Sequence, residues 1–117
     1  MYQTKVTMDV RKASDEVSIL DIQGGVTSFA ENALMDAYTQ ATSNGANAII
    51  LNFAGLDYMN SSGIGLLVTL LIRAKRQNQK LMAVGLSEHY KQIFELTRLN
   101  EAITIHDTAE DAKMALG

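Results

Sequence analysis

Residues 48–71 read AIILNFAGLDYMNSSGIGLLVTLL, and this stretch shows the clearest change of pattern in the chain. It opens with a continuous apolar run, Ala48–Phe53, which is typical of a strand covered on both faces. A predicted loop, Ala54–Asn60, follows the run. The apolar spacing from Ser62 to about Gln77 then predicts a helix. The stretch therefore predicts a buried strand, a loop and a helix in succession.

Two further strands are predicted on the N-terminal side of this stretch. Apolar and polar residues alternate over Val6–Val10, as expected of a half-buried strand, and a second strand is predicted at Val17–Ile22. The polar turn Ala13–Glu16 lies between them, so the two strands are expected to pair as an antiparallel hairpin. Gly24-Gly25 is expected to break the second strand.

The first helix is predicted from about Phe29 to Ser43. Ser28 is expected to cap its start, and Asn44-Gly45 is expected to end it. One face of this helix is apolar and is predicted to lie inward. That face consists of Phe29, Ala33, Leu34, Ala37, Tyr38 and Ala41.

The C-terminal third continues to alternate strands and helices. Lys80–Leu86 predicts another buried strand, and Ile103–His106 predicts a short last one. Ser87 is expected to cap a helix that runs to about Arg98. The residues predicted to face inward from that helix are Tyr90, Ile93, Phe94 and Thr97. Thr108 and Asp111 have the spacing of a capping box for a terminal helix that ends near Leu116.

This order of elements predicts an α/β fold. After the opening antiparallel hairpin, the alternation implies a mixed, mostly parallel sheet with right-handed crossovers and four helices. The 117 residues contain no Pro and no linker-like segment, so a single domain over residues 1–117 is expected. In such sheets, sites gather where strands end and helices begin. The loops after Phe53 and Leu86 are therefore the expected positions of a site.

Composition excludes several classes of function. The net charge of −3 argues against a nucleic-acid binder, and the absence of Cys removes thiolate metal sites and thiol catalysis. The longest apolar stretch, Ile64–Ala74, is too short to span a bilayer, and the N-terminus has no signal-peptide pattern. We therefore expect a cytoplasmic protein without a membrane span, a metal site or a cofactor.

The junction between the buried strand and its helix contains Asn60, Ser61 and Ser62 in a row. All three are helix-capping residue types, yet a helix start needs only one cap, so at least one hydroxyl is expected to be free. Gly63 and Gly65 follow in the first turns, where each costs about 1 kcal/mol relative to Ala. Glycine there opens space for another backbone or a ligand to approach.

The helix after this junction is too apolar for one buried face. At roughly 100° per residue, a core stripe is predicted. Its members are Ile64, Leu67, Val68 and Leu71. Leu66 and Leu70 then project away from the core, beside Thr69, and form a predicted patch for docking a partner. The alternative is that a neighbouring helix covers these two leucines.

The run LDYMNSSGIGLLV between the strand and the helix resembles the signature of the STAS domain, the family of sulfate-transporter C-terminal domains and anti-sigma-factor antagonists. The likeness extends to GGVTSFAENAL and to the tail GLSEHYKQIFELTRLNEAITIHDTAEDA, so it covers nearly the whole chain. The resemblance implies a single STAS-like domain that acts as a switch. It implies no catalytic residues.

The switch implied by the resemblance is one of exchanging partners. Such an antagonist binds a kinase-type anti-sigma factor, a serine kinase of the histidine-kinase-like ATPase type, and thereby frees a sigma factor. The kinase phosphorylates a serine that corresponds to Ser61, with Ser62 as the alternative acceptor, and a phosphatase restores binding. The residues implied to contact the partner are Gly25, Thr27, Ser28, Met59, Asn60, Ser61, Ser62, Gly63, Gly65, Leu66, Thr69 and Leu70.

Three positions depart from the family pattern. The family often has Asp immediately before the acceptor, where this chain has Asn60, which keeps the capping geometry and loses the charge. In the earlier loop, Gly25 and Thr27 stand where acidic residues are common. We therefore expect the partner of this chain to differ from the partners of typical family members.

Two other functions are compatible with parts of the sequence. As an enzyme, the chain would use NSSGIG to cradle a phosphate or Ser61 as a nucleophile, but no Walker lysine follows the glycines. The only histidines, His89 and His106, have no evident relation to Ser61. Alternatively, the domain is a scaffold in a stress-signalling assembly or an accessory subunit of a membrane transporter. Met1 stands close to the first predicted strand, which disfavours the covalent tail of a transporter.

Overall fold

The computed structural model describes residues 5–43 and 45–116 and contains five strands and four helices. Asn44, predicted with Gly45 to end the first helix, lies outside the described residues, as do both ends of the predicted domain. The strands are β1 Val6–Lys12, β2 Val17–Val26, β3 Ala48–Met59, β4 Lys80–Val84 and β5 Ile103–His106. The helices are α1 Glu31–Thr42, α2 Ser61–Arg76, α3 Glu88–Leu96 and α4 Ala109–Leu116.

All five strands form one sheet in the order β1-β2-β3-β4-β5. β1 runs antiparallel to β2, and every later pair is parallel. The predicted α/β architecture, with an opening hairpin and a mostly parallel sheet, is therefore confirmed. Neighbours in the sheet are also neighbours in sequence because each crossover helix returns the chain to the adjacent position.

The two faces of the sheet are covered by different helices. Leu20, Ile49 and Leu81 point to the side on which α1, α2 and α3 pack, and they belong to the larger buried cluster. Ile50 and Met82, which alternate with those residues, point to the other side and pack with Ala112 of α4. The run at the start of β3 is thus covered on both faces, as predicted from its continuous apolar character.

β2 and β3 are longer than predicted. Gly24-Gly25 was expected to break β2, but the strand continues to Val26, and β3 continues to Met59 through the predicted loop at Ala54–Asn60. The glycines instead accompany irregular pairing: the β2–β3 register shifts between Gly24 and Gly25, and Gly24 has φ of +93°. A bulge keeps a strand paired where a simple break was expected.

The start of the first helix also differs from the prediction. Thr27, not Ser28, caps the first turn: its Oγ1 accepts a hydrogen bond from the Phe29 amide at 3.3 Å. That turn, Ser28–Ala30, is a 3₁₀ turn, and α1 begins only at Glu31. A 3₁₀ turn has about three residues per turn, so Phe29 falls outside the α1 stripe and is 69% exposed. Leu34, Ala37, Tyr38 and Ala41 are buried as predicted, and Ala33 is half-buried.

The C-terminal elements follow the prediction more closely. β5 has the predicted bounds, and Ser87 caps α3, its Oγ accepting from the Tyr90 amide at 3.4 Å. α3 ends at Leu96, so Thr97 lies exposed at its end and not inward as predicted. Thr108 caps α4 by accepting from the Asp111 amide at 3.1 Å.

A polar network crosses the outer part of the sheet on the face opposite α1–α3. The Asp21 carboxylate accepts hydrogen bonds from Arg11 at 2.5 and 3.2 Å and from the Asn52 side-chain amide at 2.7 Å. The hydrogen bond from Arg11 lowers the pKa of Asp21, outweighing the opposing effect of partial burial. Three neighbouring strands are therefore joined by side chains as well as by backbone bonds.

The depressed pKa of Asp21 makes stability depend on pH. A carboxyl whose pKa is lower in the folded than in the unfolded chain stabilises the fold above its unfolded value of about 3.9. That contribution is lost as the pH falls through the lower, folded pKa. We expect Asp21→Asn to lower the unfolding free energy at pH 7 and to flatten its dependence on pH below about 4.

Chemical denaturation between pH 2 and 7 measures this effect. Asp57→Asn is the matched control, because Asp57 is exposed and makes no ion pair with the described residues. An Asp21→Asn curve that parallels the wild-type curve across the acid range would contradict the assignment.

Candidate functional site

The junction between β3 and α2 is capped by one side chain. Asn60 has extended backbone, and its Oδ1 accepts a hydrogen bond from the Gly63 amide at 2.9 Å. α2 therefore starts at Ser61, one residue earlier than predicted. Ser61 and Ser62 are exposed, and neither hydroxyl makes a hydrogen bond within residues 5–43 and 45–116. The sequence predicted at least one free hydroxyl, and the structure leaves both free.

The backbone before Ser61 is held from two sides. The Met59 amide donates a hydrogen bond to the Tyr90 hydroxyl of α3 at 2.8 Å. The Asn60 amide donates to the Val26 carbonyl at the end of β2, at 3.3 Å. Met59 itself is 5% exposed and belongs to the core. The exposed serines thus stand on a backbone with a fixed position.

Gly63 and Gly65 have different roles in α2. Gly63 is buried against the end of β2: a Cβ there would overlap the Val26 carbonyl oxygen and lie 2.8 Å from the Met59 Cγ. The space that this glycine provides is therefore filled by the chain itself. Gly65 is exposed, and a Cβ there would meet no atom within 4 Å. Of the two glycines, only Gly65 leaves open space of the kind predicted for both.

The predicted core stripe of α2 is confirmed only in part: Leu67 is buried and Ile64 and Leu71 are half-buried against the core, but Val68 is exposed. The residues that face the core are Gly63, Leu66, Leu67, Leu70 and Ala74. Leu66 and Leu70, predicted to form an exposed docking patch, are 8% and 0% exposed, whereas Val68, predicted as core, is 41% exposed. The helix is rotated by about a quarter turn from the prediction, taking roughly 100° per residue. The predicted face was chosen from large apolar side chains, so Gly63 and Ala74 did not contribute to it. Their small size brings the helix close to the sheet.

A different apolar stripe of α2 faces outward. Ser61, Gly65, Val68 and Ile72 are all exposed, and their i, i+4, i+7, i+11 spacing places them along one side of the helix. Val68 and Ile72 are 41% and 50% exposed. We call these four residues the α2 stripe. The spacing of this stripe can be read from the sequence. The stripe was not predicted, because it has only two apolar residues and the four leucines of the helix dominate the apolar pattern.

The end of β2 lies beside this junction. Gly25 and Val26 pair with Tyr58 and Met59 of β3, so the two predicted partner loops are adjacent. Gly25 and Thr27 are buried, whereas Ser28 and Tyr58 are exposed. Thr27 serves as a helix cap, and Gly25 donates its amide to the Lys5 carbonyl at 3.0 Å.

Phe29 adds an exposed apolar side chain near the same end of the molecule. The 3₁₀ turn that carries it contacts α2, and Phe29 was predicted to be buried. Sequence reasoning therefore missed Phe29, Tyr58, Val68 and Ile72 as surface groups.

The charges of α2 are concentrated at its C-terminal end. Its first turn has no acidic residue, and its last turn carries Arg73, Lys75 and Arg76. Arg73 is engaged within the fold, because it donates to Thr39 Oγ1 at 2.8 Å and lies 5.0 Å from the centroid of the Tyr38 ring. Lys75 and Arg76 are exposed. Positive charge at a helix C-terminus complements the helix dipole.

Neither histidine makes a hydrogen bond to Ser61 within the residues that the structure describes. His106 shares a hydrogen bond with Thr104 at 3.0 Å, and His89 lies on α3 against the Tyr90 ring. Within the described residues, no group of His, Asp and Glu side chains is arranged to hold a metal ion. No helix in the described part of the chain is long and apolar enough to cross a membrane.

Comparisons with known proteins agree with one another. The model of the family described as STAS domain matches residues 9–112. An anti-sigma-B factor antagonist from Staphylococcus aureus is 24% identical over 96 residues, which are 82% of this chain and 89% of that protein.

Solved structures show the same fold. An anti-sigma factor antagonist from Mycobacterium paratuberculosis superposes with a TM-score of 0.79 at 19% identity, covering 95% of this chain and 93% of the other. The Bacillus cell fate determinant SpoIIAA in its phosphorylated form gives a TM-score of 0.72, also at 19% identity, covering 95% of this chain and 100% of the other.

The two glycines of α2 provide a direct test of how this helix sits. We expect Gly63→Ala to lower the unfolding free energy by about 1–3 kcal/mol, because the added methyl group meets a backbone carbonyl that cannot easily move. Gly65→Ala should raise it by about 0.5–1 kcal/mol through helix propensity alone. Denaturant unfolding of both variants measures the difference. Equal effects of the two substitutions would show that α2 is not seated on β2 as described.

Proposed function

The chain belongs to the STAS domain family, and from this membership we propose that it is an anti-sigma-factor antagonist. Its partner would be a kinase-type anti-sigma factor, and binding would free a sigma factor. The observation that carries the proposal is the exposed hydroxyl of Ser61 at the head of the α2 stripe, which makes no hydrogen bond to the residues that the structure describes. The names of the relatives from Staphylococcus aureus and Mycobacterium paratuberculosis support it.

The partner surface that we propose keeps the exposed members of the sequence-based one, leaves out its buried and half-buried members, and adds four exposed residues. Leu66 and Leu70 are buried, so they would support the surface from below without touching the partner. Val68 and Ile72 take their place, next to Ser61, Ser62 and the other exposed groups. The proposed contact set is Ser28, Phe29, Tyr58, Ser61, Ser62, Gly65, Val68, Thr69 and Ile72.

Phosphorylation of Ser61 would act on the partner and leave the fold intact. A phosphoryl group adds nearly two negative charges and would stand at the N-terminus of α2, where the helix dipole and free amides favour it. Asn60 uses only the Gly63 amide, which leaves the amides of Ser61 and Ser62 for the phosphate. The modification therefore removes no interaction of the folded domain.

The phosphate charge would act mainly at the Ser61 end of the α2 stripe. Val68 lies seven residues beyond Ser61, which is about 10 Å along a helix that rises about 1.5 Å per residue. The Debye length at physiological ionic strength is about 8 Å. A negative charge at Ser61 therefore acts on partner groups seated up to about Gly65, some 6 Å along the helix, and is largely screened at Val68.

Asn60 changes the electrostatics of the acceptor. With a carboxylate at this position, a phosphate on Ser61 would meet a like charge one residue away, at a cost on the order of 1 kcal/mol in water. Asn keeps the cap without that repulsion. In this chain the phosphorylated form should therefore be at least as stable as the unmodified one.

The remaining parts of the proposal concern the cellular context. The protein would be a non-enzymatic cytoplasmic regulator, returned to its binding form by a phosphatase, with Ser62 as the alternative acceptor. It would not contact nucleic acid directly. A scaffold in a stress-signalling assembly is the alternative role, and it needs no phosphate on Ser61.

We expect phosphoserine placed stoichiometrically at position 61 to shift the thermal midpoint by less than about 4 °C, equivalent to about 1 kcal/mol or less for a domain of this size. The same change should weaken binding to the anti-sigma factor at least a hundredfold. Phosphoserine at position 14 is the matched control for binding, since Ser14 is also exposed but lies in the turn between β1 and β2, outside the proposed surface.

Calorimetry and isothermal titration with the anti-sigma factor of the same organism measure both quantities. A fall of the thermal midpoint of more than about 8 °C would contradict the proposed mechanism. Full-strength binding by the chain modified at Ser61 would contradict the switch and favour the scaffold.

The α2 stripe can be tested separately from the phosphate. We expect Ile72→Glu to weaken anti-sigma-factor binding by about tenfold or more, because it places a charge in the apolar contact. Leu96→Glu is the matched control: Leu96 is also exposed on a helix, at 84%, but lies at the end of α3 outside the proposed surface. Circular dichroism of both variants checks the fold. Equal binding by the two variants would place the interface elsewhere.

A further inference from the structure

A cavity of about 550 Å³ opens at the amino ends of β2, β3 and β4, between the sheet and α4. It lies at the opposite end of β3 from Ser61, about 35 Å away along a strand that rises about 3.3 Å per residue. A ligand there would leave the α2 stripe uncovered. The proposed function assigns no role to this cavity. Its volume lies within the range of about 300–1,000 Å³ that is usual for small-molecule sites.

The floor of the cavity is apolar. Val17 and Ala48 line it and are 7% and 3% exposed, and Leu116 of α4 also lines it, at 39% exposure. Val17 and Ala48 are paired neighbours in the sheet and belong to the smaller buried cluster. A hydrocarbon body that occupied this space would be removed from water on two sides, which favours its binding.

The rim of the cavity carries an excess of positive charge. Lys80 and Lys113 are among its lining residues, and Glu16 is the one carboxylate among the lining residues that the structure describes. The net charge of the lining is thus +1, which matches a monoanion. Lys113 also lies 3.4 Å from the Glu110 carboxylate, but that ion pair is exposed and contributes little. Lys113 can therefore turn toward a bound anion at small cost.

The walls of the cavity are held by backbone hydrogen bonds. The amides of Asn47 and Ala48 donate to the Glu16 carbonyl at 2.8 and 3.2 Å, which ties the start of β3 to the β1–β2 turn. The Lys80 amide donates to the Asn47 carbonyl at 2.9 Å, which ties the start of β4 to the same segment. A site that is already formed in the free protein loses little entropy on binding.

From this combination we infer that the cavity binds a small organic monoanion with an apolar body, of the class of medium-chain carboxylates. The carboxylate would lie between Lys80 and Lys113, and the hydrocarbon would lie on Val17 and Ala48 and against Leu116. The floor alone would accept a neutral chain, and the lysines alone would accept an inorganic anion. The proposed ligand contacts the apolar floor and the two lysines at the same time.

Nuclear magnetic resonance titration of the full chain with sodium octanoate tests the proposal. Parallel titrations use octan-1-ol, which has the apolar body alone, and inorganic phosphate, which has the charge alone. We expect saturable shifts of the Val17, Ala48 and Lys113 amides with octanoate. The alcohol and the phosphate should each bind at least about tenfold more weakly, a difference of about 1.4 kcal/mol.

Substitutions then separate the two halves of the site. Lys80→Gln with Lys113→Gln should weaken octanoate binding about tenfold, and Leu116→Ala should weaken it about threefold. Lys75→Gln is the matched control, because Lys75 lines a different cavity that also reaches Lys80; it should change the affinity less than twofold. Retained dispersion of the amide spectrum checks that each variant is folded.

Several results would overturn the inference. These are an absence of saturable shifts with octanoate, shifts confined to the α2 stripe, or equal binding of octan-1-ol or phosphate. A double lysine variant that behaves like Lys75→Gln would also overturn it. Because none of these measurements involves an anti-sigma factor, they leave the proposed function untouched.

Discussion

The contact between the first turn of α2 and the end of β2 determines how the rest of the functional surface is arranged. Gly63 rests on the Val26 carbonyl, and no other residue type fits there. The Asn60 amide donates to the same carbonyl, so backbone groups from two elements converge on one oxygen atom. This contact fixes both the position and the rotation of α2. Once Gly63 lies against the sheet, the helical repeat determines which side of the helix every other residue faces.

That rotation separates the two kinds of apolar residue in α2. The leucines at positions 66, 67 and 70 fill the core, while Val68 and Ile72 lie on the solvent side in line with Ser61. The Tyr90 hydroxyl steadies the strand end before Ser61 from the other side. The exposed Ser61 hydroxyl and the exposed apolar residues are thus carried by one helix. Under the proposed function, phosphorylation of Ser61 would affect a partner on this helix without movement of the domain.

Much of the fold could be predicted from residue patterns, and the failures have specific causes. The starts of β3 and β4, all of β5 and the caps Ser87 and Thr108 follow from local periodicity and capping chemistry.

The failures arose where tertiary contacts override local preference. Gly24-Gly25 reads as a break but accommodates a bulge between two paired strands. The phase of α2 was misjudged because hydrophobicity scales do not register the closeness that a buried glycine permits. The exposed serines at the start of α2 could be predicted because their signal is contiguous in sequence, whereas the cavity beside α4 is assembled from four separate segments.

The capping of α2 by Asn60 also affects how the domain can change by mutation. Since neither serine hydroxyl supports the helix, residue 61 is released from the demands of folding. Under the proposed function, an alanine there would yield a permanently active antagonist and an acidic residue a permanently silenced one. Each differs from the present chain by a single amino-acid substitution, without passing through an unstable protein. During evolution, control of this domain by phosphorylation could thus be gained, fixed in one state or lost while the fold stays the same.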